Sequence, residues 1–270
     1  MNVLNGIFNV KVPVISVVHL MPLPGSPLYE NTPVAKIVDE ALKDAALLAE
    51  CGINGLIIEN FGDVMFTKKV GPEIVAAMTA AAKEIKQTVN IPVGLCVLQN
   101  DVIAGLAIAK AVDADFIRAG YYTEVSIADS GIIESVAAEA LRYRKYIDCK
   151  AKIFADVQVK HSYPLMQRPV EESAEDACER GLADAIVITG KKTGGETKPE
   201  DVIRVKKALP EAPLIVGSGV TTENLEKYYN HIDAIIISSG LNVDGDISKG
   251  LDKERVIAFI KKIEELRKAS

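Results

Sequence analysis

One short pattern occurs four times and limits the fold more than any other feature. Ala-Glu-Cys-Gly-Ile-Asn-Gly-Leu-Ile-Ile (49–58), Ala-Val-Asp-Ala-Asp-Phe-Ile (111–117), Glu-Arg-Gly-Leu-Ala-Asp-Ala-Ile-Val-Ile (179–188) and His-Ile-Asp-Ala-Ile-Ile-Ile (231–237) read alike. Each ends a helix, turns within a few residues and enters an apolar run. Such runs mark strands buried on both faces, as in parallel sheets. Around these four lie further strand candidates, giving residues 13–20, 54–59, 92–98, 114–118, 151–157, 184–189, 214–216 and 232–238. Helical segments alternate with them. Thr32 caps the first ahead of Pro33, Asn100-Asp101 another and Asp252 the last, while Thr221 or Thr222 stands ready to cap the one after the seventh strand. Further helices are expected over 72–88, 132–148 and 170–180. With no hairpin signal and no linker, eight strands alternating with helices predict one closed parallel (β/α)8 barrel over residues 1–270. The alternative is an open, doubly wound sheet. That fold favours a glycine-rich turn after the first strand, where this chain has Met-Pro-Leu-Pro-Gly (21–25).

The chain's 270 residues suit such a barrel, which typically runs to about 250. A net charge of -6 and the lack of any basic run argue against nucleic acid as a partner. Cys51, Cys96, Cys149 and Cys178 are scattered, without the close pairs of a structural zinc site, and read as reduced thiols. No membrane segment is expected, since no apolar run approaches ~20 residues, and the first residues lack the pattern of a signal peptide. A cytoplasmic protein is expected, and homo-oligomerisation is the default for such barrels.

Barrels bind ligands at the C-terminal ends of their strands. The residues at or just after those ends are His19, Glu59, Asn60, Asp63, Gln99, Asn100, Asp101, Arg118, Asp156, Lys160, His161 and Thr189. His19 is a site group or a core imidazole. Glu59 is a catalyst or metal ligand, or the partner of Arg118 or Lys160 in an ion pair, because a carboxylate after Leu-Ile-Ile is costly to bury alone. Asp101 reads as a helix cap. Asp156, Lys160 and His161 form the chemically richest group: a partly desolvated lysine beside a carboxylate serves as base or Schiff-base nucleophile, and a histidine shuttles protons near neutral pH. An ordinary Asp156–Lys160 ion pair is the plainer reading. Glu59, Asp63, Asp156 and the two histidines also have the chemistry for a divalent cation, at no fixed ligand spacing.

Anion binding is expected elsewhere on the mouth. Pro-Leu-Ile-Val-Gly-Ser-Gly (213–219) places a glycine turn, Gly217-Ser218-Gly219, at the end of a strand, where freed backbone amides suit a phosphate. The basic loop Thr189-Gly190-Lys191-Lys192-Thr193-Gly194-Gly195 lies on the preceding strand, and Ser238-Ser239-Gly240 ends the following one. The phosphate candidates are therefore Gly190, Gly194, Gly217, Ser218, Gly219, Ser239 and Gly240. The substrate-binding candidates are His19, Asn60, Asp63, Asn100, Arg118 and Thr189.

Val-Val-His-Leu-Met-Pro-Leu-Pro-Gly-Ser-Pro (17–27), Ile-Glu-Asn-Phe-Gly-Asp (58–63), Leu-Gln-Asn-Asp (98–101), Phe-Ile-Arg (116–118), Asp-Ser-Gly-Ile-Ile-Glu (129–134), Ala-Asp-Val-Gln-Val-Lys-His (155–161), Thr-Gly-Lys-Lys-Thr-Gly (189–194) and Val-Gly-Ser-Gly-Val-Thr-Thr-Glu-Asn (216–224) together resemble the BtpA family. The resemblance implies a barrel of the phosphate-binding kind, and it extends to a photosystem I biogenesis protein and to proteins of bacterial sugar-related operons. Two departures stand out: Gly120 where the family tends to place asparagine, and Ser238-Ser239 with Asn242 where it has Gly-Thr and a lysine. The function expected is an isomerase, epimerase, aldolase or lyase acting on a small phosphorylated sugar or nucleotide-derived metabolite. The alternative is a non-catalytic assembly factor for a membrane complex such as photosystem I.

Overall fold

The computed structural model describes residues 2–190 and 195–269. In chain order the strands are β1 (Val14–His19), β2 (Gly55–Glu59), β3 (Val93–Cys96), β4 (Phe116–Ala119), β5 (Ser126–Ala128), β6 (Gly131–Ile133), β7 (Lys152–Val157), β8 (Ser162–Pro164), β9 (Ala185–Ile188), β10 (Leu214–Val216) and β11 (Ala234–Ile237). Eight of them close into a parallel barrel in the order β1-β11-β10-β9-β7-β4-β3-β2. The helices α2 (Val34–Glu50), α3 (Pro72–Thr88), α4 (Val102–Val112), α5 (Ala137–Tyr146), α6 (Val170–Glu175), α7 (Pro199–Ala208), α8 (Glu226–Tyr229) and α9 (Lys253–Ala269) follow the barrel strands one by one. This is the (β/α)8 barrel that the alternation predicts.

The fourfold sequence pattern has a physical basis at the N-terminal end of the barrel. In each copy an Asn or Asp stands one residue before the strand and accepts a hydrogen bond from the backbone of the strand before it. Asn54 Oδ1 accepts from Val14 N at 2.9 Å, Asp115 Oδ2 from Val93 N at 2.8 Å, Asp184 Oδ2 from Ile153 N at 2.9 Å and Asp233 Oδ2 from Leu214 N at 2.9 Å. A cation from a helix completes each clasp: Arg267 on Asn54, Lys86 on Asp115, Arg144 on Asp184 and Lys206 on Asp233. Three of these cations sit on the helix leading into the first strand of the pair. For the pair β1 and β2 that place is taken by α9, so the scheme closes around the ring. The strand-end N–H groups have no partner in the ladder, and the clasps satisfy them.

A helix preceding the barrel, α1 (Val3–Phe8), closes its lower end. Leu4 and Phe8 pack with the inward residues Ile15, Val17, Ile57, Phe116, Phe154, Val187, Ile215 and Ile236. Phe116 stacks on Phe154 with ring centroids 4.5 Å apart and meets Phe8 edge-on at 5.7 Å. Gly94 makes room for these rings, since a Cβ there would lie 2.3 Å from Phe116.

The local expectations differ from the structure in four places. The helix expected over 132–148 begins later, at Ala137: β5 and β6 form an antiparallel hairpin that β8 extends into a three-stranded sheet at the mouth. Strands of three residues joined through Asp129-Ser130 carry too little alternation, and no Asn-Gly type turn, to announce themselves. The helix after β10 is a single turn at Glu226–Tyr229, and Thr221 instead accepts from Glu223 N at 3.2 Å. The cap before α2 is Pro33, not Thr32. The helix foreseen over 170–180 changes to a wider turn over Asp176–Arg180. Asp101 and Asp252 do cap their helices, accepting from Ala104 N and from Glu254 N. Among the described residues no helix is long and apolar enough to cross a membrane.

The clasps predict a measurable asymmetry. Asp184→Ala leaves Ile153 N and Arg144 without their acceptor and is expected to lower stability by about 1–3 kcal/mol in urea unfolding. Asp39→Ala, on the exposed face of α2, is expected to stay within about 0.5 kcal/mol. Equal effects at the two positions would show that the clasps contribute nothing.

Candidate active site

Inward side chains recur every second residue along a strand. On five barrel strands an apolar inward residue is followed, two positions on, by a polar one: Val17 and His19, Ile57 and Glu59, Phe116 and Arg118, Phe154 and Asp156, Ile236 and Ser238. The interior is thus apolar below and polar at the C-terminal mouth. At the centre, Arg118 and Asp156 form a bidentate pair, Nε to Oδ2 at 2.8 Å and Nη2 to Oδ1 at 2.7 Å, with both side chains almost wholly buried. Burial works against the Arg118 charge, but Asp156 outweighs it and raises the guanidinium pKa above its ordinary value. The expected pairing of Asp156 with Lys160 gives way to this one because the planar guanidinium matches both carboxylate oxygens.

His19 Nε2 lies 3.7 Å from Glu59 Oε1 and 3.4 Å from Ser238 Oγ, and its ring packs on Phe61 with centroids 4.7 Å apart. Burial lowers the imidazole pKa below the ordinary value, with Glu59 opposing and Lys160 adding to the shift, so the ring is neutral at pH 7. Burial and then Arg118 lower the Lys160 ammonium, against Glu59 and Asp156. Burial and the neighbouring Glu59 push the Cys96 thiol well above its ordinary range, leaving it protonated.

Two lobes of one cavity open from this cluster. The larger, of about 530 Å³, reaches from His19 to Gly217, Ser218, Gly219, Ser239 and Gly240, with Arg255 of α9 also on its wall. The smaller, of about 280 Å³, runs past Cys96 and Gln99 to Tyr121, Asp129 and His161. Glu59, Phe61, Arg118 and Lys160 line both.

Other predicted residues lie outside the cavity or hold the loops that frame it. Asp63 accepts from Leu23 N at 2.8 Å and from Asn60 Nδ2 at 3.0 Å, and Asn60 Oδ1 accepts from Leu98 N at 2.7 Å. These buried groups line neither lobe; they strap the loops after β1, β2 and β3 together, so the long 21–31 loop is pinned at Leu23. Asn100 is buried with Nδ2 on Glu134 O at 3.4 Å, and its Oδ1 has no partner. Thr189 and Gly190 stand behind the Gly217–Gly219 turn. Ser218 Oγ accepts from Gly190 N at 2.8 Å and donates to Gly195 O at 3.3 Å, stitching two loops. Gly217 is needed for packing, since a Cβ there would lie 2.6 Å from Val187 and 2.9 Å from Thr189. Gly194, with Lys191, Lys192 and Thr193, lies outside the described residues. A divalent cation does not fit the donors foreseen for it: Asp63 is spent on the loops and Asp156 on Arg118, and among the described residues no three of His, Cys, Asp and Glu are grouped to hold a metal. Arg255 and Phe61 went unforeseen. A basic residue in the first turn of the helix after the last strand was the available signal for the former.

The family model described as the BtpA family matches residues 10–265. The chain belongs to the BtpA family. Among BtpA relatives, an uncharacterised protein of Archaeoglobus fulgidus is 45% identical, covering 92% of this chain and 97% of that protein. The photosystem I biogenesis protein BtpA of Synechocystis sp. is 39% identical, covering 96% and 90%. Similarity of fold extends further. N-(5'-phosphoribosyl)anthranilate isomerase from Pyrococcus furiosus aligns with TM-score 0.57 at 13% identity over 94% of this chain and 99% of that one. Orotidine 5'-monophosphate decarboxylase from Methanocaldococcus jannaschii aligns with TM-score 0.54 at 16% identity over 93% and 98%.

Two outcomes are expected. Asp156→Ala strands a buried guanidinium and is expected to cost about 3–5 kcal/mol, whereas replacing the pair together with apolar residues recovers much of it; equal losses in the single and double variants would contradict this. His19, whose folded pKa lies below the unfolded value of ~6.5, contributes stability that is complete above that value and is lost as pH falls through the folded pKa. The native chain should therefore lose stability relative to His19→Gln on acidification below ~6.5, and NMR titration of the ring should give a midpoint under that value.

Proposed function

We propose that this barrel is a cytoplasmic enzyme that acts on a small phosphorylated sugar or nucleotide-derived metabolite, as an isomerase, epimerase, aldolase or lyase. The observation that carries this reading is the wall of Glu59, Arg118 and Lys160 shared by both lobes, with an anion-suited turn at the far end of the larger one. Gly219 has φ +68°, and a short 3-10 turn, Ser239–Leu241, begins where β11 ends. Barrels that hold phosphate use the loops after the seventh and eighth strands and a short extra helix there. Arg255 adds a positive charge to that lobe, and the two aligned enzymes carry phosphorylated ligands in their names.

Anchored there, a phosphorylated ligand extends towards the shared wall. Glu59 is placed to take a proton from it. Lys160, its ammonium destabilised by burial, is placed as base or Schiff-base nucleophile. Arg118 keeps N–H groups beyond those bound to Asp156 and is placed to polarise a ligand oxygen. Asp156 is then a positioning group for Arg118 rather than a proton carrier, and neutral His19 is a hydrogen-bond partner to ligand or Glu59. His161 is exposed and lines the smaller lobe alone, which gives it a binding role at most.

Thermal-shift screening with sugar phosphates tests the anchor, and Arg255→Ala is expected to weaken binding by about tenfold or more. On the substrate so found, Glu59→Gln and Lys160→Ala are each expected to lower turnover by roughly 10²–10⁴-fold. Full turnover in both variants would refute the mechanism.

A second reading has its own observation. Ile127, Ile132 and Tyr163 are exposed neighbours across β6, β5 and β8, with Leu165 and Met166 exposed just beyond. That apolar face suits a protein partner or a second copy of the chain, in keeping with the named role of the Synechocystis relative. No ligand stabilisation together with a specific partner in pull-downs would favour an assembly factor.

A further inference from the structure

The smaller lobe asks for something that a phosphate and a sugar do not supply. Apolar surface predominates on its wall, with Phe61, Phe66, Val97, Leu98 and Ile117 among its contributors. The Phe61 and Phe66 rings are tilted neighbours, with centroids 6.4 Å apart, and Phe66 is half-buried. Away from the shared wall of Glu59, Arg118 and Lys160, Gln99, Tyr121 and Asp129 are already engaged with one another and with Ser130. Gln99 Nε2 donates to Asp129 Oδ1 at 3.2 Å and lies 3.4 Å from Tyr121 OH, and its Oε1 accepts from Ser130. A polyol placed here would lose its water and find few partners in return. A flat apolar group would lose little and gain the aromatic wall.

Gly105 supports this assignment. It lies inside α4 and lines the lobe. Glycine in a helix interior costs about 1 kcal/mol relative to alanine. Packing does not demand it, because a Cβ at Gly105 would meet only Val97, at an ordinary 3.6 Å. What the missing side chain leaves is space in the lobe.

We infer that the smaller lobe receives a flat, mainly apolar ring carried by the phosphorylated sugar, which makes the ligand a sugar phosphate with an aromatic or heteroaromatic ring as substituent. The assignment rests on the proposed phosphate anchor. The phosphate lies at the Gly219 and Ser239–Gly240 turns, the sugar crosses the wall of Glu59, Arg118 and Lys160, and the ring stands against Phe61 and Phe66.

Calorimetric titration with ribose 5-phosphate, AMP, UMP, adenosine and uridine tests it. At least one nucleotide is expected to bind tighter than ribose 5-phosphate by about tenfold or more. Phe66→Ala and Gly105→Leu should remove that gain and leave ribose 5-phosphate binding unchanged. If Gly105→Leu does not fold, Phe66→Ala, at a half-buried position, carries the comparison alone. Ribose 5-phosphate binding as tightly as both nucleotides, or a gain that survives Phe66→Ala, would overturn the ring assignment and leave the phosphate anchor standing. Nucleosides binding as tightly as nucleotides, with ribose 5-phosphate not binding, would overturn the anchor and keep the ring site. Absence of binding by all five would overturn both.

Discussion

Everything above the barrel floor depends on the four clasps beneath it. An Asn or Asp before every second strand holds the backbone of its neighbour, and a helix cation holds that carboxylate or amide in turn. The clasps set strand pairs in register where the ladder has run out of partners. Because side chains alternate with a period of two, register decides which residues point inward. The same four interactions that tie off the bottom therefore place His19, Glu59, Arg118, Asp156 and Ser238 on one level at the top. Above that level the loops are braced to one another by Asn60, Asp63 and Ser218, so the cavity has a fixed outline.

The Arg118–Asp156 pair divides the labour of that level. Its charges satisfy each other in a site nearly without solvent, where either alone would be costly. Neutral His19 and the destabilised Lys160 ammonium surround it. Glu59 thus faces one cation fixed by its own carboxylate partner, Arg118, and one whose charge burial disfavours, Lys160.

Much of this was legible in the sequence, for specific reasons. The fourfold pattern is local, and alternation on each strand assigns inward positions, so barrel, mouth and the polar strand ends all followed. Pairings were not legible. Phe-Ile-Arg and Ala-Asp lie on separate segments, and nothing local decides whether Asp156 meets Arg118 or Lys160. The same limit hid the clasp cations, which the fold brings in from helices distant in sequence. A polar residue after a strand serves a ligand or a neighbouring loop equally well, so the sequence does not separate the two for Asn60 and Asp63, whose hydrogen bonds go to loops. Gly217 offered itself as a phosphate cradle, yet contact with Val187 and Thr189 is reason enough for glycine there.

The last helix has two jobs at opposite ends. At its foot Arg267 donates to the carbonyls of Lys11 and Val12 and to Asn54, tying the helix that follows β11 to the entry of β1. At its head Arg255, Ala258 and Phe259 line the larger lobe. A rod spanning both ends couples them: whatever holds the head in place also keeps the first strand from parting with the last. The seam between β1 and β11 thus owes part of its hold to a helix whose other end is a wall of the mouth, and hydrogen exchange along β1 and β11 is the measurement that reads how firmly that helix keeps it shut.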